Sequence, residues 1–294
     1  MTLEQLRIFA CVAELENMTA AAKRLNLTQS AVSAAIAALE DRYGVKLFHR
    51  VGRGIELNEA GKAFLVEAGN VLAHSGVAET VLKELGGLER GSLRVIASQT
   101  IAAYWLPQRL ALFHERYPRL QIDVRIGNTQ QAANYVQDGL VDIGIVEGDI
   151  DNPALAHWAI GRDKLQLVGK RDFTRDAIDT AWLQHARWIM REPGSGTRST
   201  LEHHLRELGV DPKALDIALV LPSNESVRTA VEAGAGIAVM SSLVTDAAVA
   251  SGNLKVASLH FSPRAFYGLR HKERYRTKAS DAFLELAQEV RDDL

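Results

Sequence analysis

A chain of 294 residues, 47% apolar and 24% charged, is too long for one small core and too apolar for disorder, so two or three soluble globular domains are expected. A formal net charge of −2 excludes nucleic-acid binding through overall basicity, and the single cysteine, Cys11, excludes a disulfide framework within the chain. No basic segment followed by an apolar run opens the sequence and no apolar run reaches spanning length, so a cytoplasmic protein without a membrane partner is expected.

Thr2 to Glu16 reads as an opening amphipathic helix, with Leu3, Leu6, Phe9, Val12 and Ala13 along one face and Cys11 as a core thiol. From Asn17 to Glu40 the chain reads as two short helices around a tight turn. An alanine-rich run from Thr19 to Leu25 breaks at Asn26 and Leu27, and Thr28 then stands where it would cap a second run ending near Asp41. On that run Ala31, Val32, Ala35, Ile36 and Leu39 form the expected buried face, which leaves Thr28, Gln29, Ser30 and Ser33 crowded on its first turn and a half. Small hydrogen-bonding side chains there suit a recognition helix meeting base edges in a major groove. An alanine-rich helical hairpin with polar caps would carry the same pattern, so the segment alone leaves both readings open.

The adjoining segment favours the recognition helix. Between Arg42 and Arg53 stand Arg42, Lys46, Arg50 and Arg53 and no acidic residue, within apolar runs around Gly52 and Gly54 that read as a small β-hairpin, or wing. Arg50 and Arg53 at its tip are placed to neutralise phosphates beside the groove. Residues 1–60 balance seven basic against seven acidic side chains, but residues 17–55 hold six basic against two acidic. With so local a patch, affinity for DNA should lean on a dimer presenting two of them.

The ordered set Leu3-Glu4-Gln5-Leu6-Arg7-Ile8-Phe9, Ala20-Ala21, Leu25, Thr28-Gln29-Ser30-Ala31-Val32-Ser33, Leu39-Glu40, Gly44, Leu47-Phe48, Arg50 and Leu57-Asn58-Glu59-Ala60-Gly61 resembles the winged helix of LysR-type transcriptional regulators. The resemblance runs over essentially the whole chain. Asn58 departs from the threonine that many members carry, and either residue can cap the next helix.

Asn58 should begin a long helix running to about Glu89, in which Phe64, Ala68, Val71, Ser75, Ala78, Leu82 and Leu85 alternate steps of four and three. That spacing makes a coiled-coil seam pairing two copies, although a helix packed on its own domain would also satisfy it. Gly86-Gly87 and Gly91 read as a hinge.

Beyond it strands and helices alternate. Strands are expected at Leu93–Ala97, Gln121–Ile126 and Asp142–Val146, with helices at Ile101–Tyr117 and Gln130–Asp138 between them. A second unit comes next, with strands at Lys164–Gly169, Trp188–Met190, Ile217–Val220 and Ile237–Met240 and helices at Thr197–Leu208, Glu225–Ala233 and Ser242–Ala250. Arg264–His271 and a helix Asp281–Val290 should return to the first unit. Such alternation implies mostly parallel sheets in two α/β lobes around a cleft, an architecture shared with periplasmic solute-binding proteins and implied by the LysR resemblance. The expected fold class is therefore multi-domain α+β: a winged helix-turn-helix over residues 1–58, a linker helix and hinge over 59–91, and a two-lobed effector domain over 92–294. Lobe I takes about 92–161 and 265–294, and lobe II about 162–264.

Ligands of open α/β sheets sit outside the carboxyl ends of the strands, where helix N-termini point. Ser98, Gln99 and Thr100 follow the first strand, Gly127, Asn128 and Thr129 the second, and Glu147 the third, while Ser223 and Asn224 precede a helix of the other lobe. Arg191 leads through Glu192 and Pro193 into Gly194, Ser195, Gly196, Thr197 and Arg198, where hydroxyls, backbone N–H groups and a guanidinium converge as an oxyanion requires. Each of Ser98, Thr129, Ser195 or Ser223 alone could be an ordinary helix cap. Glu147 beside an anion is repulsive unless one partner holds a proton, so it either selects a protonated anion or pairs with Arg191 or Arg198.

These cleft residues are similar to one branch of the LysR family, whose members respond to sulfite and other sulfur oxyanions or to phosphorylated metabolites. The resemblance therefore implies a small-oxyanion effector, sulfite first, with a phosphorylated metabolite or other small carboxylate as the alternative, and no cofactor. It also implies an inverted-repeat operator in double-stranded DNA and a dimer through the linker helix that assembles into a homotetramer. A solute-binding protein or an enzyme is a minor alternative, because Gly194-Ser195-Gly196 lacks the spacing of a nucleophile elbow. His157, His185, His203 and His204 show no metal spacing, and His203 and His204 read as solvated helix residues.

Overall fold

The computed structural model describes residues 1–52, 54–85, 91–148, 150–173 and 178–289. The chain forms two compact units, one built on Met1–Leu82 and one on Lys83–Gln137 and Val141–Leu294.

In the first unit Thr2 opens helix α1 (Leu3–Leu15) with a capping box, Thr2 Oγ1 accepting from Gln5 N–H and Gln5 accepting from Thr2 N–H. Leu6, Phe9, Val12 and Ala13 are buried as expected, joined by Ile8 and Cys11, whereas Leu3 stays exposed at the helix start. Helix α2 (Met18–Leu25) is capped by Asn17 and closed by Asn26 in the left-handed conformation, and α3 (Gln29–Tyr43) starts from Thr28 and ends on Gly44. Burial on α3 begins at Val32. Ala31, expected in the core, is exposed because the first turn of α3 projects beyond the packed face.

Strands β1 (Phe48–Val51) and β2 (Gly54–Leu57) pair antiparallel, Phe48 opposite Leu57 and Arg50 opposite Ile55, with Gly52 at φ +58° in the turn. The hairpin is tied down at its base. The buried Glu40 carboxylate accepts from Leu47 N–H (2.8 Å), Phe48 N–H (3.4 Å) and Lys46 Nζ (2.8 Å). Asn58 accepts from Gly61 N–H (2.8 Å) to cap α4 (Glu59–Leu85) and donates through Nδ2 to Lys46 O (2.7 Å).

The seam expected on α4 divides. Ala68 is buried in the winged-helix core and Phe64 is half-buried against it, with the rings of Phe9 and Phe64 4.9 Å apart, so both also serve their own domain. Val71 and Leu82 lie exposed, the latter at 71%. The side chain of Leu85 and the expected hinge glycines Gly86 and Gly87 lie outside the described residues, and Gly91 already belongs to the next strand.

The second unit carries two lobes. Lobe I is a five-stranded sheet in the order β4-β3-β5-β12-β6, formed by β3 (Gly91–Ser98), β4 (Leu120–Gly127), β5 (Ile143–Glu147), β6 (Leu155–Asp163) and β12 (Arg264–His271). β3 runs parallel to β4 and β5, but β12 runs antiparallel to both β5 and β6, so the sheet is mixed and not mostly parallel. The long helix expected from Ile101 opens as a π-helical turn over Ile101–Trp105 before α5 (Leu106–Arg116). Helix α6 (Thr129–Asp138) and α11 (Lys278–Glu289) complete this lobe, whose core gathers Trp105, Phe113, Phe266 and Phe283.

Lobe II holds β7 (Leu165–Gly169), α7 (Thr180–His185), β8 (Arg187–Arg191), α8 (Gly196–Glu207), β9 (Asp216–Leu221), α9 (Asn224–Glu232), β10 (Ala238–Ser241), α10 (Ser242–Ala250) and β11 (Lys255–Val256). β8 and β9 are parallel, whereas β10 and β11 flank β7 antiparallel. β6, α7 and β11 are not foreseen from the sequence. β6 starts after Asn152 and Pro153 and alternates poorly, with polar His157 and Arg162 among its residues.

Candidate nucleic-acid interface and ligand cleft

On α3, Thr28 Oγ1 accepts from Ala31 N–H (3.2 Å) and lies 3.0 Å from Ser30 Oγ, while Gln29 Nε2 donates to Ser33 Oγ (3.3 Å). Thr28, Gln29 and Ser30 are exposed and Ser33 half-buried, so one helix start presents four small polar side chains with donors and acceptors outward. Arg50 is exposed on β1, and Arg53 lies outside the described residues. Of the four basic residues read for the wing, Lys46 is held by Glu40 and Asp41 and serves the hairpin base. Cys11 is buried, as a core thiol should be, with Arg24 Nε donating to its sulfur (3.1 Å).

In the second unit the predicted cleft residues meet in two hydrogen-bonded chains. The first joins Thr100, Asn224, Arg191, Glu192 and Asn128. Asn224 Nδ2 donates to Thr100 Oγ1 (3.0 Å) and its Oδ1 accepts from Arg191, which also forks onto Glu192 at 2.8 and 2.9 Å. Asn128 Nδ2 then donates to Glu192 Oε1 (3.3 Å). Burial alone raises the Glu192 carboxyl, but hydrogen bonding and charge from Arg191 outweigh it and hold its pKa below the ordinary carboxylate value. Gln99 spans the lobes beside this chain, donating to Pro222 O (2.7 Å) and accepting from Asn224 N–H (3.0 Å).

The second chain contains residues that the sequence does not single out. Ser98 Oγ donates to Glu147 Oε2, and the other Glu147 oxygen lies 3.8 Å from Arg264 Nη1. That nitrogen donates to Thr197 Oγ1 (3.0 Å), while Arg264 Nη2 donates to Asp163. All of these side chains are buried. Glu147 therefore pairs with neither Arg191 nor Arg198: the first belongs to Glu192 and Asn224, and the second reaches Glu202 (2.7 Å) and Arg191 O (3.1 Å). Arg264 is legible in the sequence only as the start of a returning strand. Its role depends on lying opposite Asp163 in register, and β6 is not foreseen.

The hydroxyls divide in the same way. Ser223 is an ordinary N-cap of α9, accepting from Ser226 N–H (3.1 Å), and Thr129 donates to the Glu147 carbonyl (2.6 Å). Ser195, at the N-cap of α8, makes no capping bond with its side chain, so the first-turn N–H groups of α8 lack that acceptor. Gly194, at φ +87°, turns the chain into this helix. Gly196 fits against β5 so closely that a β-carbon would lie 1.9 Å from Glu147 O. Among the described residues no His, Cys, Asp and Glu cluster could hold a metal ion, and no helix is long and apolar enough to cross a membrane. His203 is exposed, but His204 is not solvated as expected, since its ring packs 4.6 Å from Phe261.

Residues 3–62 match the bacterial regulatory helix-turn-helix protein of the lysR family, and residues 86–292 match the LysR substrate binding domain. The chain belongs to the LysR family. It is 32% identical over 289 residues to the uncharacterized HTH-type transcriptional regulator YeiE of Escherichia coli K12, covering 97% of this chain and 96% of that protein. It is 30% identical to the probable RuBisCO transcriptional regulator of Trieres chinensis, covering 96% of this chain and 94% of that one. The fold is that of full-length CbnR crystallised with its target DNA, at 23% identity, a TM-score of 0.70 and coverage of 98% and 99%. This LysR-family member is thus a DNA-binding transcriptional regulator and not an enzyme.

Proposed function

We propose that this LysR regulator senses a small oxyanion in the cleft between its lobes, sulfite or a related sulfur oxyanion first. The observation that carries the reading is the start of α8. Its hydroxyl-bearing N-cap, Ser195, does not cap, its first turn offers backbone N–H groups, and the buried Arg264 guanidinium and Ser98 stand on the same polar chain as the neighbouring Thr197. Gln99, Thr100, Asn128, Thr129, Arg191, Gly194, Gly196 and Asn224 complete the set around it. Glu147 in that wall repels a fully ionised anion and accepts from a protonated one, which favours sulfite over sulfate. No cofactor enters this scheme.

A phosphorylated metabolite is the second reading, favoured by similarity to a probable RuBisCO transcriptional regulator. In either case Thr28, Gln29, Ser30 and Ser33 read base edges, and Arg50 and Arg53 hold phosphates of an inverted repeat. The exposed face of α4 through Val71 and Leu82 pairs two copies, and effector domains pair separately into a tetramer. The regulator works in the cytoplasm.

A ligand that binds only the folded protein raises its melting temperature by mass action. Sulfite, sulfate, thiosulfate, phosphate and phosphoglycolate, with aromatic acids as controls, form the panel. A shift with sulfite that sulfate does not produce is expected. A shift confined to phosphoglycolate establishes the second reading, and one confined to aromatic acids overturns both.

A further inference from the structure

Asp163 closes β6 and Arg264 opens β12, and the two face each other in register where these strands leave the lobe I sheet for lobe II. Lys164 separates Asp163 from β7 of lobe II, so the pair straddles the crossing strands that connect the lobes. It is fully enclosed, with both side chains at 3% exposure or less. The Asp163 carboxylate has a second donor in lobe II, Ser241 Oγ (2.9 Å), at the N-cap of α10.

Arg264 has more anionic neighbours than charge. Its Nη2 is committed to Asp163, its Nη1 is shared between Thr197 Oγ1 at 3.0 Å and the more distant Glu147 carboxylate at 3.8 Å, and its buried Nε has no hydrogen-bond partner. One guanidinium thus stands between two carboxylates, one bound closely and one loosely, with a donor unspent. A buried donor without a partner is costly, and a planar guanidinium holds its five N–H groups in a rigid fork, so a change of acceptor at one nitrogen turns the whole group. The continuous line Ser98, Glu147, Arg264, Asp163, Ser241 runs from the cleft wall through the crossing strands into lobe II.

We propose that Arg264 is the positioning residue that converts occupancy of the cleft into movement of the lobes, with Asp163 as its fixed anchor. The inference rests on the reading of the cleft as an anion site. An entering oxyanion takes the place of Glu147 as the second acceptor on the Nη1 side of Arg264, while Asp163 keeps Nη2. Glu147 is left to Ser98 and to a proton of the ligand. Because Asp163 is held by Ser241 and stands at the lobe crossing, the reorientation of the guanidinium is delivered to both connecting strands. Asp163 also competes with the ligand for Arg264, so it lowers affinity while it transmits the signal.

The test compares wild type with Asp163→Asn and Ser241→Ala in the full-length protein. Calorimetric titration with sulfite and with phosphoglycolate reads binding, and solution scattering with footprinting on operator DNA reads the response. Asp163→Asn is expected to bind the anion about tenfold more tightly, the size of an ordinary coupling between sites, and to lose the ligand-dependent change in scattering and footprint, with unliganded DNA binding unchanged. Ser241→Ala, a milder change, should shift both readouts in the same directions. Asp163→Asn that binds and responds as wild type overturns the inference, as does parallel weakening of affinity and response in both variants, which marks a merely structural pair. If wild type binds neither anion, the reading of the cleft fails first and the inference with it. Should Asp163→Asn not fold, Ser241→Ala decides by the same criteria.

Discussion

Gly196 and Glu147 approach so closely that α8 of lobe II and β5 of lobe I are in backbone contact, a β-carbon on Gly196 falling 1.9 Å from the Glu147 carbonyl oxygen. Gly196→Ala must push the lobes apart at the cleft. Overpacking of this kind costs about 1–3 kcal/mol, so a lower melting temperature and a lost effector response are expected, with operator binding retained in a mobility-shift assay. Unimpaired response to the anion would show that the cleft does not work through this contact.

Ser195 offers a cleaner probe of the anion site than Thr197. Thr197→Val removes the acceptor of Arg264 Nη1 and so destabilises the effector domain by about 1–3 kcal/mol through a poorly satisfied buried donor. Ser195→Ala removes a hydroxyl that caps nothing. Calorimetry should show weakened anion binding in Ser195→Ala and in Ser98→Ala with little loss of stability for the former, and basal DNA binding intact in both.

On the DNA side, Arg50→Ala and Ser33→Ala should separate two kinds of contact. Loss of a phosphate contact lowers the salt dependence of binding by about one unit of slope, uniformly over sequences. Loss of Ser33 should cost about 1–3 kcal/mol of discrimination among operator variants. Fluorescence anisotropy across a salt series measures both. A Ser33→Ala protein with unchanged sequence preference would remove α3 from base reading.

Glu40 makes the winged helix sensitive to acid. Burial alone raises its carboxyl, but the Lys46 hydrogen bond, the Leu47 N–H and the Lys46 charge outweigh burial, so its folded pKa lies below the unfolded value. Such a group contributes stability that is present above the unfolded carboxylate pKa and is lost as pH falls through the folded pKa. Glu40→Ala also leaves the buried Leu47 N–H without an acceptor, at about 1–3 kcal/mol. Thermal melts from neutral to acid pH should show wild type losing this increment and Glu40→Ala lacking it throughout.

Along α4, position decides between folding and assembly. Phe64→Ala, packed against the winged-helix core, is expected to cost about 3 kcal/mol while leaving the oligomer to form from folded chains. Leu82→Glu, on an exposed face, should leave the monomer stable and break the dimer in analytical ultracentrifugation. A Leu82→Glu protein that sediments like wild type would move the pairing surface elsewhere.

The amino-acid sequence by itself determined the local elements: the Thr28-capped helix, the Gly52 turn, the alternation of strands and helices, and the donors at the start of α8. Caps, turns and periodicity act over a few residues, so they can be read along the chain. Only the tertiary structure decided which side chains finish together. Phe64 and Val71 share one heptad pattern, yet the first packs on its own domain and the second does not, because the period does not say what covers a face. Arg264 and Asp163 lie 101 residues apart and meet through the register of two antiparallel strands, one of which carries too little alternation to be foreseen. Glu147 received Ser98 and Arg264 in place of the arginines of the α8 motif for the same reason. Pairing between distant strands is set by packing of the whole sheet, which spacing along the chain does not encode.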